Sequence, residues 1–303
     1  MVDLSTNLSG LILTNPIIAA SGTFGFGKEF ASFYDVNILG SFCTKGMTYL
    51  PRLGNPQPRI AECKAGMLNS IGLTNNGAEH IARHEFLEIK NYFKKPVIAN
   101  VCGFTKEEYI TNAKLADESP TVGLIELNVS CPNVKQGGIG FGTQTNILFD
   151  LVKAVKNAVK KPVYVKLTPN VTDIKPLALS CEDAGADGLC LINTLLGARI
   201  DIKTRKFILA NKYGGYSGQG IFPVAVRMVN EAFNCVKIPI IGLGGISSAA
   251  DTLEMMMAGA RAVQIGTANI IDPFACKKIV EELPILCQKL GINKISEIIG
   301  IAK

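Results

Sequence analysis

The stretch that decides the fold is Ile125-Glu-Leu-Asn-Val-Ser-Cys-Pro-Asn133. An apolar run bounded by turn-forming residues is typical of an interior strand of a parallel sheet. Polar residues follow the run at once, and Pro132 prevents the strand from continuing its hydrogen-bonded ladder. In a closed βα barrel the carboxyl ends of the strands face the ligand. The pattern therefore predicts that Asn128 and Cys131 lie at the mouth of a pocket.

On the residues alone, Cys131 has two interpretations. A free cysteine usually serves as a small core residue. A thiol becomes a reactive thiolate only where its surroundings lower its pKa from about 8.5. The end of a barrel strand is a place where such surroundings occur, and both interpretations stay open at this point.

Seven further apolar runs rich in β-branched residues recur along the chain. With the first stretch they predict eight strands, over residues 16–20, 39–45, 96–101, 124–130, 162–167, 188–193, 239–243 and 262–265. Most are separated by segments with apolar residues spaced three and four apart, which predicts helices over 77–90, 106–117, 146–160, 171–184, 223–233 and 248–258. Eight alternating units predict a (β/α)8 TIM barrel, with a doubly wound open sheet as the alternative.

Other segments interrupt this alternation. Residues 4–15 carry two short apolar patches around Ser9-Gly10, which predicts a hairpin that closes the bottom of the barrel. The connections 46–76 and 195–221 are too long for ordinary turns, so we expect functional or interface-forming loops inserted at the carboxyl end of the strands. The glycine-rich segment 134–145 is predicted to be a mobile lid.

Composition excludes several classes of protein. With 303 residues, 48% of them hydrophobic and 18% charged, the chain is expected to fold as one domain over residues 1–303. No run reaches the roughly 18 apolar residues of a membrane span, and the first residues lack the pattern of a signal peptide. We therefore expect a cytoplasmic protein that does not contact membranes.

The positions of cysteine, histidine and lysine argue against metal and nucleic acid as ligands. The 9 cysteines are scattered without a C-x-x-C pair and there are only 2 histidines, so neither a zinc site nor an iron-sulfur cluster is expected in this chain. The net charge of +6 suits an anionic ligand, but the lysines are spread singly. A small anionic ligand is therefore favoured over nucleic acid.

Hydrogen-bonding residues end most of the predicted strands: Ser21, Lys45, Asn100, Asn128, Cys131, Lys166, Asn193 and Thr194. Lys45 and Lys166 lie within apolar strands, where a lysine is almost never buried without a partner. Both are therefore expected to meet an anion, such as the negative charge that develops on a flavin ring when it accepts a hydride.

Glycine-containing turns follow the last two predicted strands, at Gly244-Gly245 and Gly266-Thr267. The loops in these positions of a βα barrel often bind phosphate through backbone N–H groups. Either motif alone is also explained by a tight turn. Together they predict a phosphate-bearing cofactor.

At this level of detail the chain resembles the class one dihydroorotate dehydrogenases, which are flavoprotein barrels of pyrimidine synthesis. The resemblance covers nearly the whole chain. It rests on Ala20-Ser-Gly-Thr-Phe-Gly-Phe-Gly27, Gly54-Asn-Pro-Gln-Pro-Arg59, Gly66-Met-Leu-Asn-Ser-Ile-Gly-Leu73, Ile98-Ala-Asn-Val101, Glu126-Leu-Asn-Val-Ser-Cys-Pro-Asn133, Val165-Lys-Leu-Thr-Pro169, Ile192-Asn-Thr194 and Gly242-Leu-Gly-Gly245.

The resemblance implies a role for each matching residue. FMN would be held by Ser21, Lys45, Gly46, Asn100, Asn128, Lys166, Ile192, Gly218, Gly244, Gly245, Gly266 and Thr267. Dihydroorotate would meet Lys45, Asn69, Ser70, Ile71, Gly72, Leu73, Asn128, Asn133, Asn193 and Thr194. Cys131 would be the general base that takes a proton from the ring methylene while hydride leaves for the flavin.

Within the family, residues 21–27 and 66–73 look like the NAD-linked class, in which FAD and an iron-sulfur cluster reside on a partner subunit. None of the glycine clusters forms the G-x-G-x-x-G fingerprint of a dinucleotide site. Electrons would then reach NAD through that partner, and a homodimer of the barrel within a heterotetramer is expected. The alternatives are a fumarate-linked single-subunit dihydroorotate dehydrogenase, a dihydropyrimidine dehydrogenase-like flavoenzyme, and a non-catalytic phosphate-binding barrel, which Cys131 and the strand lysines disfavour.

Overall fold

Parallel strands form a barrel in the computed structural model, which describes residues 2–129 and 142–302. The strands are Ile17–Ala19, Ser41–Phe42, Val97–Val101, Val122–Asn128, Val163–Lys166, Gly188–Leu191, Ile240–Leu243 and Ala262–Ile265. Seven parallel pairings join them in one sheet, and the bridge between Cys43 and Ile98 closes it. The predicted (β/α)8 barrel is confirmed. Each strand lies within a predicted apolar run except Val122–Asn128, which begins two residues before the predicted run 124–130.

Helices surround the barrel. They are Lys28–Ala31, Ala78–His80, Phe86–Ile89, Lys106–Glu118, Thr145–Lys156, Lys175–Asp183, Phe222–Phe233, Ala249–Met257, Ala268–Ile271 and Ala275–Lys289, with a π-helical turn over Ile81–Glu85. The helix Ala275–Lys289 was not predicted from the spacing, and Pro284 lies inside it. In the described part of the chain, no helix is long and apolar enough to span a membrane.

The amino-terminal hairpin closes the bottom of the barrel, as predicted. Its strands Thr6–Leu8 and Leu11–Leu13 pair antiparallel, with Ser9 and Gly10 in the turn. Leu8, Leu11 and Leu13 pack in one apolar cluster with residues from the barrel interior. Ser9 donates a hydrogen bond to the carbonyl of Asp187 at 2.8 Å. Because this apolar cluster closes one end of the barrel, a ligand can enter only from the opposite end.

The two long connections form one additional sheet. Ile60–Cys63 and Gly66–Asn69 come from the first connection, and Leu195–Ala198 and Tyr213–Ser217 come from the second. They pair antiparallel, with Gly66–Asn69 beside Tyr213–Ser217 at the centre. A short strand pair, Ile200–Asp201 with Lys206–Phe207, projects from the second connection. We call the four-stranded sheet the wall sheet.

Alternation along the barrel strands separates two environments. In Val122–Asn128, Ile125 and Leu127 face the surrounding helices, whereas Leu124 packs inside the barrel. Because side chains of a strand alternate between its faces, Glu126 and Asn128 share the inner face with Leu124. The interior therefore changes from apolar near the hairpin to polar near the carboxyl ends of the strands.

Candidate active site

A cleft of about 1050 Å³ opens at the carboxyl ends of the barrel strands, with residues of the wall sheet along one side. Most of the predicted site residues line it. They are Ser21, Lys45, Gly46, Asn69, Ile71, Gly72, Leu73, Asn100, Asn128, Lys166, Ile192, Asn193, Thr194, Gly218, Gly244, Gly245, Gly266 and Thr267. Residues far apart in sequence thus meet at one place.

Three predicted site residues are not among the described cleft residues. Cys131 and Asn133, together with most of the predicted lid segment 134–145, lie outside the residues that the structure describes. Ser70 is buried and does not line the cleft; its hydroxyl accepts hydrogen bonds from Asn55 and Asn211, each at 3.1 Å. The geometry therefore places Ser70 behind the cleft, where it braces the segment that carries Ile71 and Gly72.

Lys166 lies at the floor of the cleft, with 6% of its side chain exposed. Its Nζ is 3.4 Å from Oε1 of Glu126, which is fully buried inside the barrel. Burial is the largest single influence and lowers the pKa of Lys166, but the opposing influences, of which the negative charge of Glu126 is the largest, together raise it overall. Burial likewise opposes ionisation of Glu126, yet the charge of Lys166 and hydrogen bonds from neighbouring side chains lower its pKa. The two groups form a charged pair.

Lys45 provides a second cationic group at the cleft, in different surroundings. It follows the strand Ser41–Phe42 and its backbone N–H donates to the carbonyl of Gly25 at 2.9 Å. Its side chain is only partly buried, and no carboxylate within residues 2–129 and 142–302 forms an ion pair with it. A ligand anion in the cleft could therefore be its counter-charge.

Asparagine side chains connect the interior of the barrel to the cleft. Asn100 donates to Glu126 at 2.6 Å and accepts from Asn128 Nδ2 at 3.3 Å. Asn128 in turn accepts from Asn193 Nδ2 at 3.5 Å, and Asn193 Oδ1 accepts from the N–H of Thr194 at 2.8 Å. One amide group can both donate to and accept from a ring imide. The arrangement suits a small polar heterocycle.

The glycine loops after the last two strands expose backbone. Gly244 and Gly245 have φ values of +123° and +84°, and an added Cβ would lie 2.9 Å from Ala225 Cβ and 2.7 Å from Phe222 Cβ. Only glycine fits these positions without strain. Among the described residues, the N–H groups of Gly245, Gly266 and Thr267 have no hydrogen-bond acceptor. Such groups at one end of a cleft suit a phosphate.

Comparison with known proteins agrees with this geometry. A family model described as dihydroorotate dehydrogenase matches residues 3–286. The chain belongs to the dihydroorotate dehydrogenase family. It is 55% identical over 297 residues to a protein of Bacillus mycoides strain KBAB4 named dihydroorotate dehydrogenase B (NAD(+)), catalytic subunit, covering 98% of this chain and 96% of that protein. A protein of the same name from Bacillus cytotoxicus matches with the same identity and coverage.

In this member of the dihydroorotate dehydrogenase family, sequence reasoning missed two side chains of the site. Glu126 belongs to a motif of the family but has no role predicted from the sequence, and Gln264 lies in an apolar strand. Gln264 lines the cleft and donates to Glu126 at 2.5 Å. A signal was available, because Glu126 and Lys166 occupy inner-face positions of neighbouring strands and carry opposite charges. That the two side chains are close enough to pair, however, follows only from the strand register, which the sequence does not specify.

Proposed function

We propose that the chain is the FMN-containing catalytic subunit of an NAD-linked dihydroorotate dehydrogenase, which oxidises (S)-dihydroorotate to orotate in de novo pyrimidine biosynthesis. One observation carries the proposal. A single cleft in a chain of this family is lined by two lysines of different burial, a row of asparagine amides and backbone N–H groups that have no acceptor in the described part of the chain. The backbone N–H groups match the cofactor phosphate, Lys166 matches the flavin ring, and Lys45 with the amides matches the acidic substrate.

The cofactor would occupy the part of the cleft next to the last two strands. The N–H groups of Gly245, Gly266 and Thr267 would bind its phosphate, and Lys166 at the floor of the cleft would face the ring. The remaining contacts are proposed for Ser21, Lys45, Gly46, Asn100, Asn128, Ile192, Gly218 and Gly244. When bound, FMN supplies a ring that accepts a hydride from the substrate. The ammonium group of Lys166 would stabilise negative charge that develops beside it.

The substrate would lie between the cofactor and the wall sheet. Lys45, which has no ion pair in the described part of the chain, would bind the substrate carboxylate. The amides of Asn69, Asn128 and Asn193 would donate to and accept from the ring imide. Further contacts are proposed for Ile71, Gly72, Leu73, Asn133 and Thr194. Holding the ring in one orientation brings the carbon that loses hydride to a defined place.

Cys131 would act as the general base, on the strength of its position in the sequence after the strand Val122–Asn128. Its Sγ would take the proton from the ring methylene, and the C–H electron pair would form the new double bond as hydride leaves the neighbouring carbon that bears the carboxylate. The thiol must be ionised to do so.

Electrons would leave the chain through a partner subunit that carries FAD and an iron-sulfur cluster. In the described part of the chain, no group of three or more His, Cys, Asp or Glu residues could hold a metal ion. The relatives are named dihydroorotate dehydrogenase B (NAD(+)), catalytic subunit, and this name supports an acceptor reached through another chain. We further propose a homodimer of the barrel within a heterotetramer in the cytoplasm.

The test uses the purified chain. It should be yellow with bound FMN, and dihydroorotate should bleach it under anaerobic conditions. Steady-state turnover is then measured with each of three electron acceptors, NAD, fumarate and an artificial dye, in the presence and in the absence of the partner subunit. Dye reduction by the chain alone, and NAD reduction only with the partner, are expected. A folded chain that cannot be loaded with FMN would refute the proposal, and preferential turnover of fumarate would assign the single-subunit class.

A further inference from the structure

We propose that Glu126 is a positioning residue, which holds Lys166 as an ammonium group at the floor of the cleft and sets the orientation of the amide side chains above it. The inference rests on the proposed function, because it concerns how the cleft receives FMN and dihydroorotate. Glu126 does not line the cleft and is fully buried. It can act on a ligand only through its neighbours.

The first neighbour is Lys166. A buried ammonium group without a counter-charge readily loses its proton. Glu126 is the only carboxylate among the described residues that pairs with Lys166, at 3.4 Å. The thiols of Cys43 and Cys190 also face this pair, and burial, followed by the charge of Glu126, raises the pKa of each well above its usual range. Both thiols are therefore neutral, and the counter-charge of Lys166 is Glu126.

The second group of neighbours consists of amides. An ionised carboxylate only accepts hydrogen bonds, so each amide beside Glu126 must turn its NH2 group toward it. Gln264 donates at 2.5 Å, which leaves its Oε1 3.4 Å from Lys166 Nζ. Asn100 donates at 2.6 Å, which leaves its Oδ1 to accept from Asn128.

The orientation passes on toward the cleft. Because Asn128 turns its NH2 group to Asn100, its Oδ1 faces Asn193, whose NH2 group donates at 3.5 Å. Asn193 then presents its Oδ1 to the N–H of Thr194. Glu126 thus determines which atom each amide turns to its neighbour, and so the orientation of the amides that line the cleft.

The test is Glu126→Gln in the FMN-loaded protein. Asn100 and Gln264 donate to different oxygens of the carboxylate, and in the new amide one of these oxygens is replaced by an NH2 group, which cannot accept. The substitution also removes the counter-charge of Lys166. We expect orotate, titrated by its effect on the flavin absorbance spectrum, to bind about tenfold or more weakly. We also expect a flavin reduction potential below that of the wild type at pH 8.5, with the difference shrinking toward pH 6 as Lys166 regains its proton.

Two further variants make the test specific. Tyr164→Phe removes a buried hydroxyl from the barrel interior near the hairpin, 3.1 Å from Ser9 Oγ, and should keep the wild-type potential and orotate affinity. Glu126→Asp keeps the charge but is one methylene shorter, and it covers the case in which Glu126→Gln does not fold. It should retain the potential while binding orotate more weakly, because a shorter carboxylate cannot reach Asn100 and Gln264 together.

Each outcome decides the matter. If Glu126→Gln kept the wild-type orotate affinity and flavin potential, the whole inference would be overturned. If Glu126→Asp kept the wild-type orotate affinity, the role of Glu126 in orienting the amides would be overturned. A shift in potential that is the same at pH 6 and pH 8.5 would show that Lys166 does not depend on Glu126 for its charge. Failure of the wild-type chain to bind FMN would instead refute the proposed function.

Discussion

Asn69 and Gly215 pair across two strands of the wall sheet although 146 residues separate them in sequence, and Asn69 Nδ2 donates to the Gly215 carbonyl at 3.4 Å. Each strand comes from a different long connection between barrel strands. The pairing holds Asn69 at the cleft, which it lines together with the glycine loops. The wall sheet therefore decides where Asn69 lies at the cleft.

The wall sheet leads to a prediction at Gly215. A Cβ there would lie 2.1 Å from Thr194 Oγ1, so Gly215→Ala must displace Thr194 or the strand. We expect substrate binding to weaken about tenfold or more while FMN stays bound, which the orotate dissociation constant and the flavin content measure. The matched control is Gly197→Ala on the neighbouring strand, whose Cβ would meet the movable Cδ2 of Leu68 at 3.1 Å. Equal effects of the two variants would contradict the prediction.

The two lysines should respond differently to replacement by alanine. Lys166→Ala leaves the buried Glu126 without its partner, which costs about 3 to 5 kcal/mol of unfolding free energy, and it slows flavin reduction. Lys45→Ala breaks no ion pair in the described part of the chain and should change stability by about 1 kcal/mol or less, but should strongly weaken substrate binding. Urea unfolding and orotate titration measure the two effects. Similar losses of stability would show that Lys45 has a structural partner.

Stability should depend on Glu126 in acid. Although burial opposes its ionisation, the charge of Lys166 lowers the pKa of Glu126 below that of an unfolded glutamate, about 4.3. The stabilisation is thus complete above about pH 4.3 and is lost as pH falls through the lower, folded pKa. Urea unfolding midpoints of the wild type and Glu126→Gln should therefore converge as the pH falls below about 4.3. A constant gap over this range would mean that Glu126 is not ionised in the folded protein.

Cys131→Ala should nearly abolish flavin reduction by dihydroorotate while FMN remains bound. Loss of a general base typically slows the step by about 10²- to 10⁴-fold. Cys131→Ser should retain a small activity that rises with pH, because a hydroxyl loses its proton less readily than a thiol. Stopped-flow absorbance at saturating dihydroorotate measures both rates. An unchanged rate in the alanine variant would remove Cys131 from the mechanism.

The sequence by itself determined the barrel, the hairpin that closes its bottom, and many of the polar residues and glycines that line the cleft. Apolar runs report strands that are buried on both faces, and their alternation with helical spacing is a local pattern repeated eight times. In parallel strands the residue that ends each run reaches the same edge, so Lys45, Asn100 and Lys166 could be placed together before their distances were known. The glycines after the last two strands were predictable for the same reason.

Tertiary structure alone decided the wall sheet and the position of Ser70. Residues 66–69 and 213–217 are far apart in sequence but pair as strands. Neither segment has a periodic pattern from which the other could be predicted as its pairing partner. Ser70 belongs to a matching motif, but the strand pleat and the loop turn it toward Asn55 and Asn211. Likewise, the charge of Glu126 is visible in the sequence, whereas its contact with Lys166 depends on the strand register and on the closure of the barrel around both.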